Sequence, residues 1–249
     1  MGEYVKCAIT YGVEVTANNR SIDFKISGGG SELQATLRVG LYSPNSLKTE
    51  IARAMTLADP SNTYTVTIDR DISGGTQNRM TIATSGAFLS LLFATGTRAG
   101  STSAALMGFT ATDKTGATTY TGSSSVGTVL VPTYPPQDYQ PLGTIHDARR
   151  AVNDSTGGRI ETVSFQTFRN FQFRIKWIEE DSSEFDSFQA LHIWLLRGGP
   201  IEFLGKVTEP SVVSIGVPLN LRTPVELNRM TPSFYDYFET PVYTFREQS

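Results

Sequence analysis

Two histidines, His146 and His192, and one cysteine, Cys7, are all that this 249-residue chain offers to nucleophilic or transition-metal chemistry. A serine or cysteine hydrolase needs a base beside its nucleophile. His192 falls on an apolar helical pattern with Phe188 and Leu195 and reads as a structural histidine. His146, beside Asp147 in a loop-like stretch, has no Gly-x-Ser-x-Gly elbow to serve. No HExxH spacing is present, so a zinc catalyst is not expected, and a single cysteine forms no intrachain disulfide. Cys7 reads as a small core hydrophobe.

Carboxylates are more plentiful, and a glycosidase needs only two. The densest acidic run, Glu179-Glu180-Asp181 with Glu184 and Asp186, surrounds a helix start, where the helix dipole stabilises negative charge without any catalytic role. Asp69, Asp71, Ser73 and Gly74 match the first half of a calcium loop, in which oxygen ligands alternate before a turning glycine. The position that should carry a bidentate Glu is Met80, and no helix pattern flanks the loop, so a hairpin turn explains the same residues. Gly28-Gly29-Gly30 leads into neither a helix nor a Lys-Ser/Thr pair, which a phosphate cradle requires. No catalytic, cofactor or metal residue is assigned from these patterns, and no enzymatic activity is expected.

The elements around these residues are mostly strands. Residues 171–203 read as strand, helix and return strand: Phe171, Phe173, Ile175 and Trp177 alternate with polar residues, the period-2 signature of a half-buried strand. Asp181-Ser182-Ser183-Glu184 supplies candidate N-caps, Phe185, Phe188, Leu191, His192 and Leu195 follow at helical spacing, and Gly198-Gly199-Pro200 closes the helix. Ile201-Glu202-Phe203 starts the return strand. Earlier, residues 21–26 and 33–39 alternate around the glycine-rich loop and predict a hairpin. Ser43 and Pro44 open a second helix, with Leu47, Ile51, Ala54, Met55 and Ala58 on one face and Asp59-Pro60 as its stop. Alternation over 64–69 and 80–84 predicts a further strand pair. Phe88–Phe93 and Leu106–Phe109 read as buried edges, residues 110–127 as an exposed hairpin or mobile loop, and 129–131 as a last strand of this module. Strands are also expected at 160–165, 212–217 and 219–221. The aromatic stretches 234–238 and 242–245 suit a closing strand pair.

Pro132, Pro135 and Pro136 stiffen the chain and forbid helix, so a boundary is placed there. The expected architecture is mainly β with α+β character, in two β-rich modules of one principal helix each. They are 1–135, with a helix at about 44–58, and 136–249, with a helix at about 183–197. Lys and Arg total 21 against 24 Asp and Glu, a net charge of −3, which provides no basic stripe for nucleic acid and no polybasic membrane patch. Charged residues make up only 18 % of the chain, a balance better suited to a subunit held in an assembly than to a highly soluble enzyme. No run approaches the roughly 18 to 20 apolar residues that cross a bilayer, and residues 1–6 contain no signal-like apolar segment, so a soluble chain is expected.

The first module, with Ile22-Asp23-Phe24, residues 33–43 (Leu-Gln-Ala-Thr-Leu-Arg-Val-Gly-Leu-Tyr-Ser), the helix carrying Leu47 to Met55, Tyr64 to Asp69 and Leu106-Met107-Gly108-Phe109, resembles a module of virion proteins of tailed bacteriophages. The second, with Phe171 to Trp177, its helix and Gly198-Gly199-Pro200-Ile201-Glu202-Phe203, is similar to the strand–helix–strand plan of tail-tube and distal tail (Dit-like) proteins, a β-sandwich. The resemblance implies a structural subunit of the virion tail, assembled in the host cytoplasm, that forms a ring, hexameric by analogy, at the distal tail or baseplate. Its partners would be further copies of itself, the tail tube and the tip proteins, with DNA passing only in transit through the lumen. It implies no cofactor and no membrane insertion. A head–tail connector or tail terminator is the alternative within this class, and a carbohydrate-binding receptor module or a tail-associated hydrolase the alternatives outside it. Apolar strand faces that a neighbouring subunit could complete put Phe171, Phe173, Trp177, Tyr235, Tyr237 and Phe238 forward as interface candidates. The same strand faces could equally be intramolecular core.

Overall fold

The computed structural model describes residues 7–26, 28, 30–70, 78–134, 136–140, 150–154, 160–164, 170–204, 213–218, 227–230 and 236–247. In chain order, β1 (Ala8–Tyr11), β2 (Val13–Val15), β3 (Ser21–Lys25), β4 (Leu33–Thr36) and β5 (Gly40–Tyr42) precede helix α1 (Pro44–Ala58). Strands β6 (Tyr64–Ile68), β7 (Arg79–Thr84), β8 (Leu89–Leu91), β9 (Lys114–Ala117), β10 (Thr119–Ser125) and β11 (Thr128–Leu130) follow. Then come β12 (Gln137–Gln140), β13 (Arg150–Asp154), β14 (Ile160–Ser164), β15 (Asn170–Arg174), β16 (Ile178–Glu179), α2 (Ser183–Leu196) and β17 (Ile201–Leu204). The last are β18 (Val213–Pro218), β19 (Asn228–Arg229), β20 (Tyr237–Glu239) and β21 (Tyr243–Glu247). Among the described residues the protein is mainly β, with two α-helices and several antiparallel sheets, as its patterning predicts.

Helix α1 begins where the sequence places it. Ser43 Oγ accepts from Ser46 N at 3.2 Å while Ser46 Oγ accepts from Ser43 N at 2.8 Å, a reciprocal capping box that satisfies two donors the helix leaves open. Leu47, Ile51, Ala54 and Met55 form its buried face. Asp59 ends it and turns the chain into β6, accepting hydrogen bonds from Ser61 N (3.1 Å), Asn62 Nδ2 (2.9 Å) and Tyr64 Oη (2.7 Å). Around α1 stand three small sheets, β2-β5, β4-β3-β8-β9 and β10-β7-β6, enclosing a mostly aliphatic core with Ile22, Phe24, Met80, Ile82, Leu89 and Leu91. The expected β3–β4 and β6–β7 hairpins are both present.

Of the remaining strands, seven build a larger sheet, in the order β11-β1-β17-β18-β21-β15-β12 among the described residues, while β13-β14 and β16-β20-β19 form two small sheets of their own. The sheets do not follow the boundary drawn at the prolines. β1 pairs with β17 and with β11, so residues 8–11 and 128–130 belong to the sheet formed by the second half of the chain. The described residues between them, from 13 to 126, form a lobe inserted between two adjacent strands of that sheet. Gly127 turns the chain back out of the insertion at φ +72°, and a Cβ there would stand 2.7 Å from the Tyr11 carbonyl oxygen. The local pattern of 129–131 is that of a strand, and only the long-range partner β1 decides to which sheet it belongs.

Four further expectations change for similar reasons. Leu106 lies in a 3-10 turn (Ala105–Met107) that ends on left-handed Gly108, rather than on an edge strand. Residues 110–127 contain β9 and β10, sewn to β8 and β7 in two different sheets, so Thr- and Ser-rich composition here marks exposed strand faces. The two aromatic tail segments become β20 and β21 but do not pair with each other: β20 joins β16 and β19, and β21 joins β15 and β18. Finally, the alternation of β15 fails at its last member, as described below. The expected strand at 219–221 lies outside the described residues.

One face of the large sheet is aromatic. Phe173 stacks on Phe203 (4.7 Å, 14°) and on Phe245 (5.4 Å, 15°), and Phe171 on Phe245 (5.0 Å, 18°). Phe203 and Phe245 come from strands separated by β18, and Gly216 of β18 supplies the room: a Cβ there would lie 2.6 Å from the Phe171 ring. Phe188, Leu191, Trp194 and Leu195 of α2 complete this core.

Candidate functional site

Every strongly buried carboxylate among the described residues is engaged by groups that hold the fold. Asp23 of β3 accepts from Arg98 N and Nε (2.5 and 2.9 Å). Glu50 of α1 accepts from Arg38 N (2.8 Å) and from both arms of Arg53, so its carboxyl is held below the usual range chiefly by the Arg53 hydrogen bonds. For Asp59, burial opposes ionisation, but hydrogen bonds from Tyr64, Asn62 and Ser61 outweigh it and its pKa falls below the usual value. Glu202 is 2 % exposed on β17, on the face turned away from the aromatic core. There it accepts from Asn45 N in the first turn of α1 (2.5 Å) and pairs with Arg70, whose Nη1 also lies 3.3 Å from Asn78 Oδ1. Asn78 Nδ2 returns to Thr10 Oγ1 of β1 at 2.8 Å. The positive end of α1 and the Arg70 cation thus neutralise one buried charge of the main sheet and join the inserted lobe to it. Nothing local in Ile201-Glu202-Phe203 identifies this role, because its partners lie more than a hundred residues away.

A different arrangement stands at the end of β15. Residues 171, 173 and 175 alternate inward as predicted, and 177 should follow them. Instead Trp177 adopts φ +64°, and both Ile175 and Ile178, three positions apart, are fully buried. The left-handed residue breaks the strand's parity, lets Ile178 take the core position and leaves Trp177 only partly buried. For a bulky side chain this conformation costs on the order of 1–3 kcal/mol. It is held in place by Thr240, whose N donates to Ile175 O (2.8 Å) and whose Oγ1 accepts from Ile175 N (3.0 Å).

The chain then enters the short sheet β16-β20-β19. Ile178 opposite Phe238 faces the core, and Arg229 lies over the Phe238 ring at 5.3 Å while pairing with Glu180 at 2.8 Å. On the other face, Tyr237 stands opposite Glu179, and Glu239, two residues on, stands opposite Asn228. Trp177 meets Tyr237 edge to face, with ring centroids 6.0 Å apart and planes at 74°. Lys176 Nζ and an Arg174 nitrogen stand 3.8 and 3.7 Å from Glu239.

Of the residues put forward as interface candidates, Phe171 and Phe173 are 2 % and 0 % exposed, spent on the stacked core of their own sheet, and offer a neighbour no ring surface. The alternation that singled them out is a core pattern. Phe238 is also buried, under Arg229. Trp177 and Tyr237 do come together at the surface, and Tyr235 lies outside the described residues. Glu179, Glu239 and Asn228, which complete that face, were not singled out because short strands of two or three residues leave no period to read. His192 is buried in α2 beside Tyr243, and burial holds its imidazole below its ordinary pKa. Burial likewise pushes the Cys7 thiol up to about 12. His146, Asp71, Ser73 and Gly74 lie outside the described residues, among which no three His, Cys, Asp or Glu side chains gather as a metal site. No described helix is long and apolar enough to cross a membrane. No protein-family model matches the chain, and no curated protein matches it.

Proposed function

We propose that this protein is a structural subunit of a bacteriophage tail that assembles into a ring at the distal tail or baseplate and joins the tube to the tip proteins. The observation that carries the reading is the large antiparallel sheet with two unlike edges. Among the described residues β11 and β12 each have one neighbour, and both present a row of backbone donors and acceptors on the other side. Such an edge is a template for another strand. Pairing β12 of one copy with β11 of the next is a head-to-tail contact, and head-to-tail contacts generate rings when the rotation closes. The employment of Asp23, Glu50, Asp59 and Glu202 in holding backbone and arginine side chains fits a structural role.

Light scattering on a size-exclusion column, followed by electron microscopy of the eluted species, tests this. The expected mass is a closed multiple of 27.2 kDa, six copies by the family resemblance, with ring-shaped particles. A single 27.2 kDa species at every concentration, even after mixing with tail tubes, would overturn it.

A further inference from the structure

The outward face of the β16-β20-β19 sheet has features that an assembly contact does not call for. We infer that this face binds a neutral saccharide, with Trp177 and Tyr237 as the stacking surface and Glu179, Glu239 and Asn228 as partners for sugar hydroxyls. The backbone gives the first reason. Glycine or asparagine would serve a left-handed bulge more easily, yet the position carries a tryptophan, thrown outward by a break in strand parity while Ile178 fills the core beneath it. An unfavourable conformation kept for a large aromatic on the surface is a mark of function.

Composition gives the second. The register puts Tyr237, Glu179, Glu239 and Asn228 on one side of the sheet, and Trp177 closes on Tyr237 at 74°. A pyranose has a C–H face that packs on an aromatic ring and a rim of hydroxyls that donate to carboxylates and accept from amide or ammonium groups. Trp177 and Tyr237 meet the first requirement, and Glu179, Glu239, Asn228 and Lys176 meet the second. The centre of a protein–protein interface is depleted of Glu and Lys, whereas here they border the aromatic pair. On or beside these strands five acids (Glu179, Glu180, Asp181, Asp236 and Glu239) outnumber three cations (Arg174, Lys176 and Arg229), so an anionic sugar is disfavoured.

Rigidity gives the third. The paired Thr240–Ile175 hydrogen bonds, Glu180 N to Asp236 O at 2.8 Å and Met230 N to Tyr237 O at 2.9 Å fix the three strands around the aromatic pair before any ligand arrives. The face is formed by a different sheet from the one that carries the β11 and β12 edges, and its argument uses neither edge, so this inference does not rest on the assembly reading.

The chain's two tryptophans make a direct test. Trp194 is buried, with its indole nitrogen donating to Pro200 O at 2.9 Å, so a ligand-dependent change in tryptophan emission reports on Trp177. The full chain is titrated with the hexasaccharides of N-acetylglucosamine, α-1,4-glucose and β-1,4-glucose, and with hexagalacturonate as the anionic control. Saturable binding of at least one neutral hexasaccharide is expected, with none of hexagalacturonate. Because Trp177→Gly removes the reporter along with the platform, affinities of variants are read by calorimetry. Trp177→Gly and Tyr237→Ala should each weaken binding about tenfold or more. Trp177→Gly should keep the wild-type circular dichroism and melting temperature, since glycine accepts the backbone, and Glu239→Gln should fold normally and bind more weakly. Absence of saturable binding across the neutral panel at millimolar concentration, preference for the anionic sugar, or unchanged affinity in Trp177→Gly would each overturn the inference.

Discussion

The inserted lobe and the main-sheet lobe are built from different materials. The first packs a mixed core, mostly aliphatic with Phe24, Tyr64, Phe93 and Phe109, and one well-capped helix against three small sheets, in which the β3–β4 and β6–β7 hairpins pair neighbouring segments and β3–β8 and β7–β10 pair more distant ones. The second stacks phenylalanines from β15, β17 and β21, which lie far apart in the chain, and closes only when β1 and β11 arrive from either side of the insertion. A lobe with two locally encoded hairpins and a helix is thus spliced into a sheet whose strands depend on distant partners, and the buried charge network at Glu202 ties them together, beside the exposed Arg197–Glu14 pair and Leu41 packed against the aromatic core. The lesson is that stability and cooperativity need not have the same source: the cores hold each lobe, while contacts across the junction, with Glu202 as the buried charged one, couple them.

The largest effect should come from that network. Glu202→Ala leaves Arg70 and the first turn of α1 facing a buried gap and should cost about 3–5 kcal/mol, read by urea denaturation. Replacing Glu202 and Arg70 together by leucine removes both charges and should recover most of that loss. Equal losses in the single and double variants would show that the pair does not couple the lobes.

Next is Gly216→Ala, which drives a methyl into the Phe171 ring and should cost about 1–3 kcal/mol by overpacking the aromatic stack. An unchanged midpoint would mean that the rings yield and the stack is looser than its geometry. A smaller contrast concerns the helix caps. Ser43 takes part in a reciprocal box, whereas Ser182 donates to Glu179 O and caps α2 through Phe185 N at 3.1 Å. Ser43→Ala should therefore destabilise by about 1–2 kcal/mol and Ser182→Ala by about 0.5–1 kcal/mol.

The smallest effect is a pH slope confined to the main-sheet lobe. His192 is neutral in the fold below its ordinary pKa of 6.5, so the unfolded chain binds more protons in that range. Stability is then complete above about pH 6.5 and declines as pH falls towards the depressed folded value. Midpoints measured from pH 7 to pH 5 should show that decline in the wild type and a flatter profile in His192→Gln. The inserted lobe adds its own acid loss only at lower pH, where Asp59 and Glu50, both depressed in the fold, take up protons.

The same contrast explains what could be read in the sequence. Helix α1, its Ser43 cap, its Asp59 stop and the two hairpins of the inserted lobe follow from residues within a few positions of one another. Helix α2 and the alternation of β15 are legible for the same reason. The insertion is not, because the pattern of β11 specifies a strand and says nothing of β1 as its partner. The proline-rich segment suggested a boundary through its stiffness, while sheet membership is decided by pairing across more than a hundred residues. At the candidate saccharide face, alternation placed Trp177 inward with Phe171 and Phe173, and the tertiary bond of Thr240 to Ile175 is what shifts the register. Trp177 and Tyr237 were legible as aromatic residues of interest, but Glu179, Glu239 and Asn228 join them only through the register of three very short strands.

The coupling of the two lobes is tested most directly by urea unfolding followed with two probes. Both tryptophans, Trp177 and Trp194, lie in the main-sheet lobe, so their emission reports that lobe alone, while far-ultraviolet circular dichroism reports both through α1 and α2. The wild type should give coincident transitions, and Glu202→Ala should separate them, with the two lobes melting at different urea concentrations. Separate transitions in the wild type, or coincident ones in Glu202→Ala, would contradict the assignment of Glu202 as the joint.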